Sequence, residues 1–191
     1  MKNLYVASKN QGKIEEYKKL LSIVNCQLLL QPESLEVEED GLTFRDNAIK
    51  KASNVSNKTN SFSIADDSGI CIEALGGKPG IYSSRYADND QKRIERVLKE
   101  LDGVQNRRAF FVANICVCSP NGIVILESEA KCFGKIILKP RGNGGFGYDP
   151  IFEETYTKLT FAEMSNDMKD KYSHRGQALK KIIPNLLELF S

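Results

Sequence analysis

Ala109-Phe110-Phe111-Val112-Ala113-Asn114-Ile115-Cys116-Val117-Cys118 is the best strand pattern in the chain, apolar but for Asn114, and Ser119-Pro120-Asn121-Gly122 closes it. Its length and its β-branched and aromatic content read as a strand. Pro120-Asn121-Gly122 is a hairpin turn, and Ile123 to Cys132 answers antiparallel. An antiparallel hairpin late in the chain means that the sheet cannot be wholly parallel.

Upstream, strands alternate with helices. Leu4 to Ala7 reads as a short buried strand and Ser8 to Gly12 as a polar turn; Ile14, Tyr17, Leu20, Leu21 and Val24 then recur at helical spacing. Leu28 to Leu30 is a second strand, and Glu33 to Gly41 is acidic and irregular. Thr43 can cap a helix with Phe44, Ala48, Ala52 and Val55 on one face, Asp46 completing a weaker capping box. Ser61 to Ala65 reads as a strand that ends in the turn Asp66-Asp67-Ser68-Gly69, with Ile70 to Ala74 as a further strand and Gly76 to Gly80 as a loop. Asp90 to Leu101 is a helix ended by Asp102-Gly103. A glycine-rich loop spans Gly142 to Asp149, and Ser173 caps a last helix that Pro184 kinks or splits. The expected class is α/β: a long mixed sheet flanked by helices, with residues 1–191 forming a single domain.

Composition narrows the function. With 191 residues and 41% hydrophobic content the chain can bury a core without staples, which excludes disorder. Lys plus Arg number 27 against 25 Asp plus Glu, a net charge of +2, so a nucleic-acid coat is not expected. No apolar run approaches the ~20 residues that span a bilayer. Met1 to Val6 runs directly into a strand pattern, unlike a signal peptide. Five cysteines without a Cys-x-x-Cys pair read as small hydrophobes in a reducing compartment, the cytoplasm, and not as a zinc site.

Four segments can carry chemistry. Ser8-Lys9-Asn10-Gln11-Gly12-Lys13 lies between a strand and a helix, where unpaired N–H groups attract phosphate; it is not a Walker A loop, and an ordinary turn with solvated lysines has the same pattern. Ala65-Asp66-Asp67-Ser68-Gly69 puts two carboxylates at an apolar strand's end. With an acid from Glu38-Glu39-Asp40 they suit Mg²⁺ and a water to be polarised, or they start a turn. Gly142 to Pro150 offers Phe146 and Tyr148 as faces for a planar base and Asp149 held extended by Pro150, or it is a flexible hairpin loop. Lys169 with Ser173-His174-Arg175 is either an anion or carbonyl site at a helix start or a surface cap.

In this order the segments resemble the inosine triphosphate pyrophosphatase family. The resemblance covers nearly the whole chain: Ser8-x-Asn10-x-x-Lys13, Glu39-Asp40-Gly41-x-Thr43-Phe44-x-x-Asn47-Ala48, Ala65 to Gly69, Leu75-Gly76-Gly77-x-Pro79-Gly80-Ile81-Tyr82-Ser83-x-Arg85-Tyr86, Gly144 to Phe152, and Ser173-His174-Arg175-Gly176-x-Ala178. Lys9 stands where many members carry glycine. The resemblance implies two lobes with a central nucleotide-binding cleft, a homodimer, and Mg²⁺-dependent cleavage of inosine, deoxyinosine and xanthosine triphosphates to monophosphate and pyrophosphate. It assigns the triphosphate to Ser8, Lys9, Asn10, Gln11, Gly12 and Lys13, with Lys51 near the phosphates. Glu39 and Asp67 become metal-associated acids, Asp67 the acceptor of the water's proton, and Ser68 a substrate contact. Phe146, Gly147, Tyr148, Asp149, Lys169, His174 and Arg175 fall to the nucleotide and base.

Selectivity would follow from a donor such as Arg175 or His174 facing O6, which adenine lacks. Two other readings compete: a pyrophosphatase of related fold acting on modified pyrimidine or methylated nucleotides, and a nucleotide-binding regulator without turnover. The Ser-His-Arg and Phe-Gly-Tyr-Asp segments oppose the first, and Glu39, Asp66 and Asp67 oppose the second.

Overall fold

The computed structural model describes residues 2–191; the expectation for Met1 lies outside them. The chain runs β1 (Lys2–Val6), α1 (Gln11–Leu20), β2 (Cys26–Leu30), α2 (Phe44–Thr59), β3 (Phe62–Ile72), α3 (Asp90–Glu100), β4 (Arg108–Cys118), β5 (Val124–Ile136), β6 (Phe152–Glu154), α4 (Asn166–Tyr172) and α5 (His174–Leu189). The strands form one six-stranded sheet in the order β2-β1-β3-β4-β5-β6. β1 pairs parallel with β2 and β3, placing Leu4 opposite both Leu28 and Phe62. β5 pairs antiparallel with β6. The mixed α/β sheet expected from the hairpin is therefore present. Its turn closes with Gly122 N donating to Ser119 O at 2.9 Å and Ser119 N to Ile123 O at 2.9 Å.

The contacts divide the chain into two compact units. The first holds the residues up to Asp67, Ala113–Ala130 and Arg175–Ser191; the second holds Ser68–Val112 and Lys131–His174. In the first unit, alternation along the strands sends successive side chains to opposite faces. Leu4, Val6, Ile64, Ile115 and Val117 pack with Tyr17 of α1 and with Leu179, Ile182 and Leu186 of α5. Ala7, Ala65, Cys116 and Cys118 face the other way, with Ala48, Ala52 and Val55 of α2. In the second unit Ile70, Ile72, Phe111, Cys132 and Ile136 pack with Ile94 and Val97 of α3 and with Phe152 and Phe161. Gly134 lies at a close approach, since a Cβ there would stand 2.3 Å from Glu153 O.

Local signals explain the helices. Asn10 accepts from Lys13 N at 3.0 Å and starts α1; Thr43 Oγ1 accepts from Asp46 N at 3.1 Å and starts α2. α1 ends at Leu20, and Leu21 and Val24 are buried beyond it. Three expectations need correction. β3 does not stop at Ala65 but runs unbroken through Asp66-Asp67-Ser68-Gly69, so Ile70 belongs to the same strand. The turn propensity of Asp-Asp-Ser-Gly is outweighed by the sheet and by cationic partners for both acids. Pro184 does not split α5: it lies on the exposed face, where water can solvate the carbonyl it leaves unpaired. Before α5 there is also the short helix α4, capped by Ser165, and Ser173 is the extended residue that separates the two. Among the described residues no helix is long and apolar enough to cross a membrane.

Candidate active site

In the first unit, β1 pairs with β3 only as far as Val6 opposite Ile64. Asp66 and Asp67 lie just past that last pair, so the crevice at the carboxyl ends of the parallel strands is kept although β3 continues. Their side chains meet different partners. Asp66 is 1% exposed, and its Oδ2 receives Lys13 Nζ at 2.9 Å and Arg175 Nη2 at 2.9 Å. Arg175, equally buried, also donates through Nη1 to Glu16 of α1. Burial alone would raise the Asp66 carboxyl, but Arg175, Lys13 and Lys51 hold it well below the ordinary carboxylate range. Burial lowers Lys13, with Asp66 opposing.

Asp67 points to the other cluster. Its Oδ1 accepts from Lys51 Nζ at 3.0 Å and its Oδ2 from Asn47 Nδ2 at 3.2 Å. The same Lys51 Nζ donates to Glu39 Oε1 at 2.7 Å. Burial would lower Lys51, yet Asp67 and Glu39 raise it. Asp40 turns away to Lys50, and Glu38 is exposed. Of the three consecutive acids, Glu39 is the one that shares a lysine with Asp67.

A cavity of about 340 Å³ opens beside this cluster, lined by Ser8, Lys9, Asn10, Lys13, Glu39 and Lys51 among others. The N-terminus of α1 is part of that wall, so helix dipole and lysines act on the same space. Asn10 and Ser8 are also engaged locally, since Asn10 N donates to Ser8 Oγ at 3.2 Å. Lys9 reaches Glu36 at 3.4 Å on the surface. Gln11 donates to Glu15 at 2.6 Å.

Among the described residues no group of three or more His, Cys, Asp or Glu gathers as a ready metal cage. The donor chemistry nevertheless suits a hard cation. Glu39 and Asp67 converge on one ammonium, and Mg²⁺ needs only one or two carboxylates when phosphates and water complete its shell.

Gly12 lies in the first turn of α1, and the second unit holds the other predicted residues. Ser68 follows Asp67 on β3. Asp149 Oδ2 accepts from Phe146 N at 2.9 Å and from Lys169 Nζ of α4 at 2.6 Å. Lys169 Nζ also stands 4.5 Å from the centroid of the Phe146 ring. Gly145 takes φ +73°, and a Cβ there would fall 2.0 Å from Asp149 Oδ2, so this turn needs glycine. Gly147 N donates to Asp90 Oδ2 at 2.7 Å, and Tyr148 Oη donates to Ser83 O at 2.8 Å. His174 stacks on Phe111 at 4.7 Å and 11°, and Phe161 lies against both rings, at 5.6 Å from Phe111 and 6.1 Å from His174.

Sequence reasoning missed Glu16, Phe161 and Asp90, and gave Asn47 no role. Glu16 could have been found at i+3 from Lys13, on the same helix face. Asp90 and Phe161 carry no local signal, because their partners are remote in sequence.

Acid–lysine clusters beside a helix N-terminus, on an α/β sheet, suit the binding of a phosphate group. The chain belongs to the Ham1 family, whose model matches residues 4–185. It is 78% identical over the full length of both chains to the dITP/XTP pyrophosphatase of Prochlorococcus marinus subsp. pastoris. It is 46% identical to the dITP/XTP pyrophosphatase of a Nostoc species, covering 100% of this chain and 97% of that one. Among solved structures, a HAM1 protein from Coxiella burnetii superposes with a TM-score of 0.89 at 38% identity, covering 98% of this chain and 100% of the other. The family resemblance read from the motifs is thereby borne out.

Proposed function

We propose that the chain hydrolyses noncanonical purine nucleoside triphosphates, namely the inosine, deoxyinosine and xanthosine forms, to monophosphate and pyrophosphate, and so clears them before they enter DNA or RNA. The observation that carries this reading is the Glu39–Lys51–Asp67 cluster beside the cavity walled by Ser8, Asn10 and Lys13.

In this reading the α1 N-terminus, Lys13 and Lys51 hold the triphosphate. Asp67 orients the attacking water and takes its proton, with Asn47 and Lys51 fixing both carboxylate oxygens. Glu39 and Asp67 would hold Mg²⁺, which neutralises charge on the phosphate oxygens. Asp66, Lys13, Arg175 and Glu16 position this machinery. Phe146 to Asp149, with Lys169 and His174, receives the base. Arg175 commits donors to Asp66 and Glu16, which favours His174 as the reader of O6. The absence of O6 in adenine leaves such a donor unpaired, the physical basis for sparing adenosine triphosphate. The free thiols of all five cysteines support a reducing compartment, the cytoplasm. A homodimer is the expected assembly, testable by light scattering.

The purified protein is incubated with Mg²⁺ and xanthosine or deoxyinosine triphosphate beside adenosine triphosphate, and the products are identified. Monophosphate plus pyrophosphate, with adenosine triphosphate largely spared, is the expected result. Orthophosphate release would place the cut at the γ-phosphate and defeat the mechanism. Turnover of modified pyrimidines alone would support the competing pyrophosphatase.

A further inference from the structure

The glycine loop of the second unit is tied to an acid that lies outside every motif in the sequence. Asp90 is the first residue of α3, a helix capped by Asn89, which accepts from Lys92 N at 2.9 Å. Asp90 Oδ2 accepts the Gly147 N–H at 2.7 Å, and Oδ1 receives Arg93 Nη1 at 2.5 Å. Arg93 is anchored in turn, its Nε donating to Ala87 O at 3.1 Å. An amide bonded to a carboxylate is a charge-assisted bond, stronger than an ordinary one. Gly147 itself sits at φ +62°, where a side chain would be strained, and a Cβ there would meet open space. Without Asp90 the peptide plane between Phe146 and Gly147 would lose its restraint on one side, and that plane sets where the Phe146 ring is presented.

We propose that Asp90 is a positioning residue for nucleobase recognition: through the Gly147 amide it fixes the Phe146–Gly147 peptide, with Arg93 fixing Asp90. This rests on the reading that the Phe146 to Asp149 loop meets the base. Asp90 touches no substrate atom and acts through the loop. Its side chain is 48% exposed, so replacing it leaves the core of the unit intact.

The test compares Asp90→Ala, Asp90→Asn, Phe146→Ala and, as a control on the same approach to α3, Asp88→Ala, whose ion pair with Lys92 is exposed. Steady-state kinetics use xanthosine triphosphate, inorganic tripolyphosphate serves as a base-free competitive inhibitor, and amide hydrogen exchange follows residues 144–148. For Asp90→Ala we expect KM about tenfold or more higher, with kcat within about threefold, as loss of a charge-assisted bond used in binding predicts. Its tripolyphosphate inhibition constant stays unchanged and exchange at 146–148 becomes faster. Asp90→Asn keeps an oxygen acceptor for the Gly147 amide but turns its NH₂ toward the Arg93 donor, so its KM should fall between wild type and Asp90→Ala. Asp88→Ala behaves as wild type. A wild-type KM for Asp90→Ala while Phe146→Ala is impaired overturns the proposal alone. So does an Asp90→Asn variant more impaired than Asp90→Ala, or a tripolyphosphate constant that rises with KM. A wild-type KM for Phe146→Ala overturns the reading of the loop and the proposal with it.

Discussion

Asp66 in the first unit and Asp149 in the second are both buried carboxylates bonded to a lysine, yet they are held by different physics. Asp66 Oδ2 receives two cations, Lys13 and Arg175, the latter also tied to Glu16. Asp149 Oδ2 is held by Lys169 together with the backbone amide of Phe146, three residues before it. The first arrangement is a desolvated charge network, expensive to break because removing any member leaves its buried neighbours short of counter-charge. The second is a loop clamp, built on a glycine turn and an aromatic face, whose loosening changes where Phe146 points. Phosphate chemistry needs fixed charge, and recognition of a planar base needs a placed surface. In the proposed function the first unit would supply the charge and the second the surface.

The largest effect expected is on turnover from the first unit. Asp67→Asn should lower kcat by about 10²–10⁴-fold with the fold retained, read as pyrophosphate release per enzyme, the span ascribed to a positioned general base. Near-normal turnover would remove Asp67 from the proton transfer and break the assignment of chemistry to this unit.

Next is stability. Asp66→Asn leaves Arg175 and Lys13 without their shared carboxylate and should cost about 3–5 kcal/mol, read by denaturant unfolding. The pH dependence has a definite sign. The folded Asp66 carboxyl lies below its unfolded value of 3.8, so its stabilisation is full above that value and is lost as pH falls below it. Thermal unfolding of the wild type should therefore weaken below about pH 4, and Asp66→Asn should remove this part of the slope. An unchanged slope in the variant would show that other carboxylates carry the acid sensitivity.

A smaller effect belongs to the second unit. Phe146→Ala should raise KM for xanthosine triphosphate by about 5–100-fold, the worth of about 1–3 kcal/mol of base stacking, with kcat nearly kept. Loss of kcat instead would erase the contrast between the units. The smallest effect is at Lys9, whose exposed pair with Glu36 spans 3.4 Å. Lys9→Ala should move stability by less than about 1 kcal/mol. A large rise in KM would show that Lys9 touches the phosphates despite that pair.

Much of this was legible in the chain. The hairpin at Pro120-Asn121-Gly122 and the caps at Asn10 and Thr43 are local: turn and cap residues act on their own neighbours, so their spacing is enough. Glu39, Lys51 and Asp67 were also named, from motif order, and they meet. The end of β3 was misread because Asp-Asp-Ser-Gly has turn chemistry, and what keeps it extended is remote: Arg175 lies over a hundred positions further on. α4 escaped for a related reason, since seven residues are too few for a 3.6-residue period to declare itself.

Sequence by itself determined the class of fold, the family and the roster of chemically able side chains, because periodicity, turn residues and motif order are properties of neighbours along the chain. Tertiary structure alone decided which acid each cation serves. Lys13 goes to Asp66 and Lys51 to Asp67, although the two aspartates are adjacent. On a strand, successive side chains leave on opposite faces, so one step along β3 separates a buried structural charge from the carboxylate proposed to take the proton. The same holds for Asp90, which becomes a partner of Gly147 only once α3 and the glycine loop have packed together.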